Sequence, residues 1–125
     1  MKKILIAEDS PTILEIVKNI LEQEGYSVIT ATDGLEALTK AKKESPDLII
    51  LDLMLPKVDG YKVCGMLKFD KNFSRIPIII LTARAGEEDK KMASDVKADE
   101  YIVKPFEPEA FLPKVKKLLK EEPNE

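Results

Sequence analysis

Five residues of this 125-residue chain carry the polar chemistry worth weighing: Glu8, Asp9, Asp52, Thr82 and Lys104. Each stands at the end of a short apolar run, the first two after Ile4-Leu5-Ile6-Ala7 and Asp52 after Leu48-Ile49-Ile50-Leu51. The chain contains no histidine, so a His-based metal site, a Ser-His-Asp triad and a phosphohistidine are excluded. What chemistry exists must run on carboxylates, hydroxyls and lysine. Two carboxylates about 4 Å apart repel by about 4 kcal/mol at an effective dielectric of about 20. Either their pKa values rise or a cation binds, and an open, oxygen-only set of few ligands suits Mg2+, with Lys104 adding positive charge. A carboxylate nucleophile beside a hydroxyl, an ammonium and a divalent cation has the parts of a phosphoryl-transfer site. Asp52 would attack phosphorus, while Thr82 and Lys104 would each donate to a phosphoryl oxygen.

Taken singly, these residues mean less. Glu8 and Asp9 read more often as a helix-capping pair, Thr82 as a strand-end hydroxyl, and Lys104 as a solvated side chain. Tyr101 reads as a half-buried aromatic on an edge strand. Asp59-Gly60 is a turn signal leading into a helix, without a catalytic role. Their joint placement is what distinguishes them.

The elements that position them alternate regularly. Five runs rich in Ile, Leu and Val read as strands: 3–7, 27–31, 47–53, 76–81 and 100–103. Between them lie stretches of helical period. The first, through Ile13, Ile16, Val17, Ile20 and Leu21, closes at Gly25, and others fit 35–43, 61–69 and 87–96. The last runs from Pro108 to about Lys120, where Pro113 either kinks the helix or marks a later start. Strand and helix alternating five times predicts an α/β fold: a doubly wound parallel sheet with right-handed crossovers and helices on both faces. Strands apolar along their whole length fit burial on both sides. All the chemical residues then fall at one sheet edge, where ligands of open parallel sheets bind.

Composition agrees with one globular domain over 1–120, followed by a short charged tail over 121–125 and no output domain. The chain is 44% hydrophobic and 34% charged, and its net charge of −3 opposes the basic field that nucleic acid requires. The opening apolar stretch ends at Glu8, too early for a signal peptide or membrane span. Cys64 is the single cysteine, so no internal disulfide forms, and a cytoplasmic setting is expected. The lysines at 114, 116, 117 and 120 read as a solvated helix face.

Four motifs in order, Ala7-Glu8-Asp9-Ser10, Leu51 to Gly60, Leu81-Thr82-Ala83 and Val103-Lys104-Pro105-Phe106, resemble the response-regulator receiver (CheY-like) family over nearly the whole chain. The resemblance implies the strand order 2-1-3-4-5, a topology borrowed from that class rather than derived from these residues. It further implies that Asp52 is the phosphoacceptor and that Mg2+ is held by Asp9, by Asp52, by the backbone carbonyl of Met54 and, largely through water, by Glu8. Thr82 and Tyr101 match the family's switch pair, and the Lys104-Pro105 peptide is expected to be cis. The implied partners are a histidine kinase or phosphotransfer protein and a downstream protein on the fourth helix, fifth strand and fifth helix. Direct nucleic-acid and membrane contacts are not expected. Such a stand-alone switch is not an enzyme beyond slow self-phosphorylation from small donors and slow autodephosphorylation.

The chain departs from the family pattern at Lys97, where glycine is frequent, and Gly65 within a helix is unusual. By the same resemblance, Met54 and Arg84 stand at the positions that modulate hydrolysis in the family, and their bulk predicts a lengthened phosphoryl lifetime. Three other functions compete. A dehalogenase-type aspartyl-phosphate hydrolase wants a second Asp where Met54 stands, and a flavodoxin-like FMN carrier wants a Gly/Ser/Thr-rich loop where Glu8-Asp9 stands. A docking module that is never phosphorylated would not need the full acceptor set.

Overall fold

The computed structural model describes residues 1–83, 86–105 and 107–120. Its ten elements alternate as β1 (Lys3–Ala7), α1 (Pro11–Gln23), β2 (Ser27–Ala31), α2 (Gly34–Glu44), β3 (Leu48–Asp52), α3 (Gly60–Lys68), β4 (Ile78–Thr82), α4 (Glu87–Asp95), β5 (Glu100–Val103) and α5 (Pro108–Leu118). All strands are parallel in the order β2-β1-β3-β4-β5, as the resemblance implied. The third strand is shorter than the expected 47–53 and the fourth starts two residues later than 76. The charged tail over 121–125 lies outside the described residues, as do Arg84 and Phe106.

Every residue of β3 and β4 is buried, because successive side chains point to opposite faces and both faces are covered. Leu5, Ile49, Leu51, Ile78 and Ile80 pack with α2 and α3 on one face. Ile4, Ile6, Leu48, Ile50, Ile79 and Leu81 pack with Val17 and Leu21 of α1 and Phe111 and Val115 of α5 on the other. Each such Ile or Leu removed from water contributes about 1.5–3 kcal/mol before ordering costs are subtracted. Cys64 of α3 lies in the core of the α2/α3 face, and burial pushes its thiol up to about 12.

Local chemistry explains the helix ends. Asp33 and Asp59 accept from the amides of Glu36 (2.7 Å) and Lys62 (3.0 Å), capping α2 and α3. After α4, Lys97 occupies the left-handed region (φ 65°). The amides of Lys97 and Ala98 donate to the carbonyls of Ser94 and Ala93, both at 3.0 Å, so the glycine-type cap is kept without glycine. Helix α5 begins at Pro108 and continues through Pro113, which removes the later-start alternative.

Candidate acidic phosphoacceptor site

The carboxyl ends of β1, β3, β4 and β5 bring the predicted residues together. Glu8, Asp9 and Asp52 each offer a carboxylate oxygen within 4.8 Å of the others. Glu8 is 1% and Asp52 5% exposed, whereas Asp9 faces solvent. The Lys104 ammonium donates to Glu8 Oε1 at 2.9 Å and lies 3.6 Å from Asp52 Oδ2. Thr82 is fully buried at the end of β4, and its carbonyl accepts from the Lys104 amide at 2.7 Å. The Lys104-Pro105 peptide is cis.

Ion pairs and amides define the electrostatics. Burial pushes the Glu8 carboxyl above the ordinary carboxylate range, opposed by the Lys104 hydrogen bond and the Ser10 amide and reinforced by the charge on Asp52. Both Glu8 oxygens are engaged, Oε2 accepting from Ser10 N at 3.0 Å. Asp52 Oδ1 accepts from the Met54 amide at 3.3 Å. Among the described residues no buried side-chain nitrogen or oxygen lacks a hydrogen-bond partner. Three carboxylates with hard oxygen donors, one of them open to water, are a donor set that fits a small divalent cation such as Mg2+.

The capping reading of Glu8 and Asp9 does not hold, since the N-cap of α1 is Ser10, whose Oγ accepts from the Ile13 amide at 3.4 Å. Tyr101 is half-buried on β5 and packs against the α2/α3 side of the core. The Met54 side chain is 61% exposed. Sequence reasoning missed two contacts. Lys68, almost buried, pairs with Asp99 at 2.7 Å and donates to the carbonyls of Ser74 and Ile76, and the Tyr61 hydroxyl donates to the Asp89 carbonyl at 2.7 Å. A lysine at a core-facing helix position was the available signal for the first. The second had none.

The family model for the response regulator receiver domain matches residues 4–116. This chain is a response regulator receiver domain. Over 119 residues it is 47% identical to the alkaline phosphatase synthesis transcriptional regulatory protein PhoP of Bacillus subtilis, covering 95% of this chain and 49% of that protein. It is 45% identical over 120 residues to the DNA-binding dual master transcriptional regulator RpaA of Synechocystis, covering 96% and 50%. The receiver thus spans about half the length of these relatives. A CheY-like receiver domain protein from Methanospirillum hungatei superposes with a TM-score of 0.90 at 34% identity, covering 96% of this chain and 94% of that one. The receiver domain of a sensor histidine kinase from Pseudomonas aeruginosa, described with a magnesium ion coordinated in its active-site cleft, superposes at 0.88 with 29% identity, covering 96% and 98%. Within the described residues, no helix of the receiver is long and apolar enough to cross a membrane.

Proposed function

We propose that this receiver is a phosphorylation switch in which Asp52 accepts a phosphoryl group from the phosphohistidine of a histidine kinase or phosphotransfer protein. The observation that carries the reading is a buried acceptor carboxylate, 5% exposed, flanked by Glu8, Asp9 and the Lys104 ammonium. One Asp52 oxygen forms the new bond to phosphorus as the phosphorus–nitrogen bond of the donor breaks, leaving a neutral imidazole once a proton is taken up. Lys104 moves from Glu8 toward a phosphoryl oxygen, and the Thr82 hydroxyl donates to another. Glu8, Asp9, Asp52 and the Met54 carbonyl would hold Mg2+, which when bound supplies positive charge against the phosphoryl oxygens.

Thr82 and Tyr101 then bias two states of the surface formed by α4, β5 and α5, and a downstream protein binds one state better. The receiver acts as a switch and not as a turnover enzyme, because a hydrolase would need a second acid where Met54 stands. Its acidic charge argues against direct nucleic-acid contact by this domain. The large Met54 side chain lengthens the phosphoryl lifetime by crowding the attacking water, in concert with Arg84. A Met54→Asn, Arg84→Glu double variant should dephosphorylate faster, and an unchanged half-life would refute the lifetime claim.

Intact mass after incubation with acetyl phosphate or phosphoramidate tests the core of the reading. A gain of one phosphoryl group that requires Mg2+ and is lost in Asp52→Asn is expected. No gain in the unaltered protein under either donor would leave a docking module as the function.

A further inference from the structure

We infer that the cleft between the β3–α3 loop and α4 is a docking groove for a helical segment of a partner protein that carries apolar anchors flanked by lysine or arginine, independent of phosphorylation. The cleft has a volume of about 780 Å³, within the range of built binding pockets. Leu53, Leu55, Pro56 and Tyr61 form one side, and Met92 of α4 stands opposite.

Two of its apolar side chains remain in water without cover, Met54 at 61% and Met92 at 45% exposure. Exposed methionines lining one cleft make an adaptable apolar surface that gains by being covered. The walls also specify the occupant's charge. Apart from Asp9, which the proposed Mg2+ would neutralise, Asp59, Glu88, Asp89 and Asp95 line the cleft, and among its described residues the single cation is Lys91, which pairs with Asp95 at 3.3 Å. That pair is exposed on both sides, so it is weak enough for an incoming cation to replace.

Three further observations narrow the partner. Neither edge strand of the sheet, β2 or β5, lines the cleft, so an occupant must be held by side chains rather than by adding a strand. A second copy of this acidic chain would bring net negative charge to an acidic groove. The α4 wall is also lightly anchored, with Ala93 its one buried residue and the Tyr61 hydroxyl bridging to the Asp89 carbonyl, so it can adjust to a ligand.

The test uses the whole unphosphorylated chain, 15N-labelled, titrated with a synthetic amidated helix of about four turns built from Leu at i, i+3, i+4, i+7 spacing and Lys elsewhere. Amide shifts should cluster at residues 53–55, 59, 61, 88, 91, 92 and 95. Affinity should fall at least about fivefold between about 50 and 300 mM salt. Met92→Glu and Glu88→Lys should each weaken binding by about fivefold or more, while Met66→Glu, exposed on α3 outside the cleft, should leave it unchanged. Equal binding of a Leu/Glu peptide, shifts scattered over other acidic surfaces, or shifts confined to the α4–β5–α5 face would each overturn the proposal. So would the same residues shifting with protein concentration alone, which would assign the groove to a second copy. Because no step depends on Asp52, a failure here is separable from a failure of phosphorylation.

Discussion

The two flanks of the Asp52 carboxylate are built differently. On one flank β1 and β3 are buried almost throughout, and the loop after Asp52 is clamped by Gly34 and Gly60 at the starts of α2 and α3. The Gly34 amide donates to the Pro56 carbonyl at 3.0 Å and the Gly60 amide to the Leu53 carbonyl at 2.9 Å. A Cβ at Gly34 would collide with the Val58 carbonyl oxygen, and one at Gly60 with that of Asp52. On the other flank α4 buries Ala93 alone, has no side-chain cap at Gly86, and adjoins β5, where Ile102 is the buried residue. The carboxylate cluster is thus fixed by dense packing, while the neighbouring α4 surface buries few side chains.

The sharpest way to break this contrast is to truncate one apolar side chain on each flank. Leu51→Ala should cost about 2–5 kcal/mol in urea unfolding, whereas Met92→Ala should cost under about 0.5 kcal/mol. Comparable losses would mean that α4 is as firmly held as β3. Next in size is Gly60→Ala, which must push the Asp52 carbonyl aside and should lose about 1–3 kcal/mol together with most of the phosphorylation rate. Retention of both would show that the clamp is dispensable.

The acid cluster adds a pH signature to the rigid flank. Because the Glu8 carboxyl lies above its ordinary value in the folded state, the folded protein binds more protons than the unfolded chain over the interval between the two values. This group's contribution to stability therefore falls as pH rises from the ordinary carboxylate range to the raised one, then stays level. Unfolding curves measured with a chelator present should show that decline in the unaltered protein and not in Glu8→Gln. An identical slope in both would remove Glu8 as its source. A modest gain is expected at the border of the two flanks. An alanine at Gly65 would meet Val96 Cγ1 at 3.5 Å, an ordinary contact, and Gly65→Ala should add about 0.5–1 kcal/mol by reducing unfolded-state freedom. A loss instead would mean that the end of α4 cannot tolerate even one methyl group.

The strands, the helices and the polar residues gathered at one sheet edge were legible because they depend on local pattern. Apolar runs that end in Asp52 or Thr82 and caps at Asp33 and Asp59 each act over a few residues. The strand order came from resemblance, since hydrophobic period says that a strand is buried and not which strand lies beside it. Helix α5 running through Pro113 was also undecidable locally, because tertiary packing of Phe111 and Val115 outweighs a missing amide. What only the tertiary structure decided is who pairs with whom. Lys104 reaches Glu8 across 96 positions of chain, Ser10 caps α1 and leaves its acidic neighbours free of that role, and Lys68 pairs with Asp99. Such partnerships are set by sheet register and by distances of about 3 Å, and no period in a linear sequence encodes either.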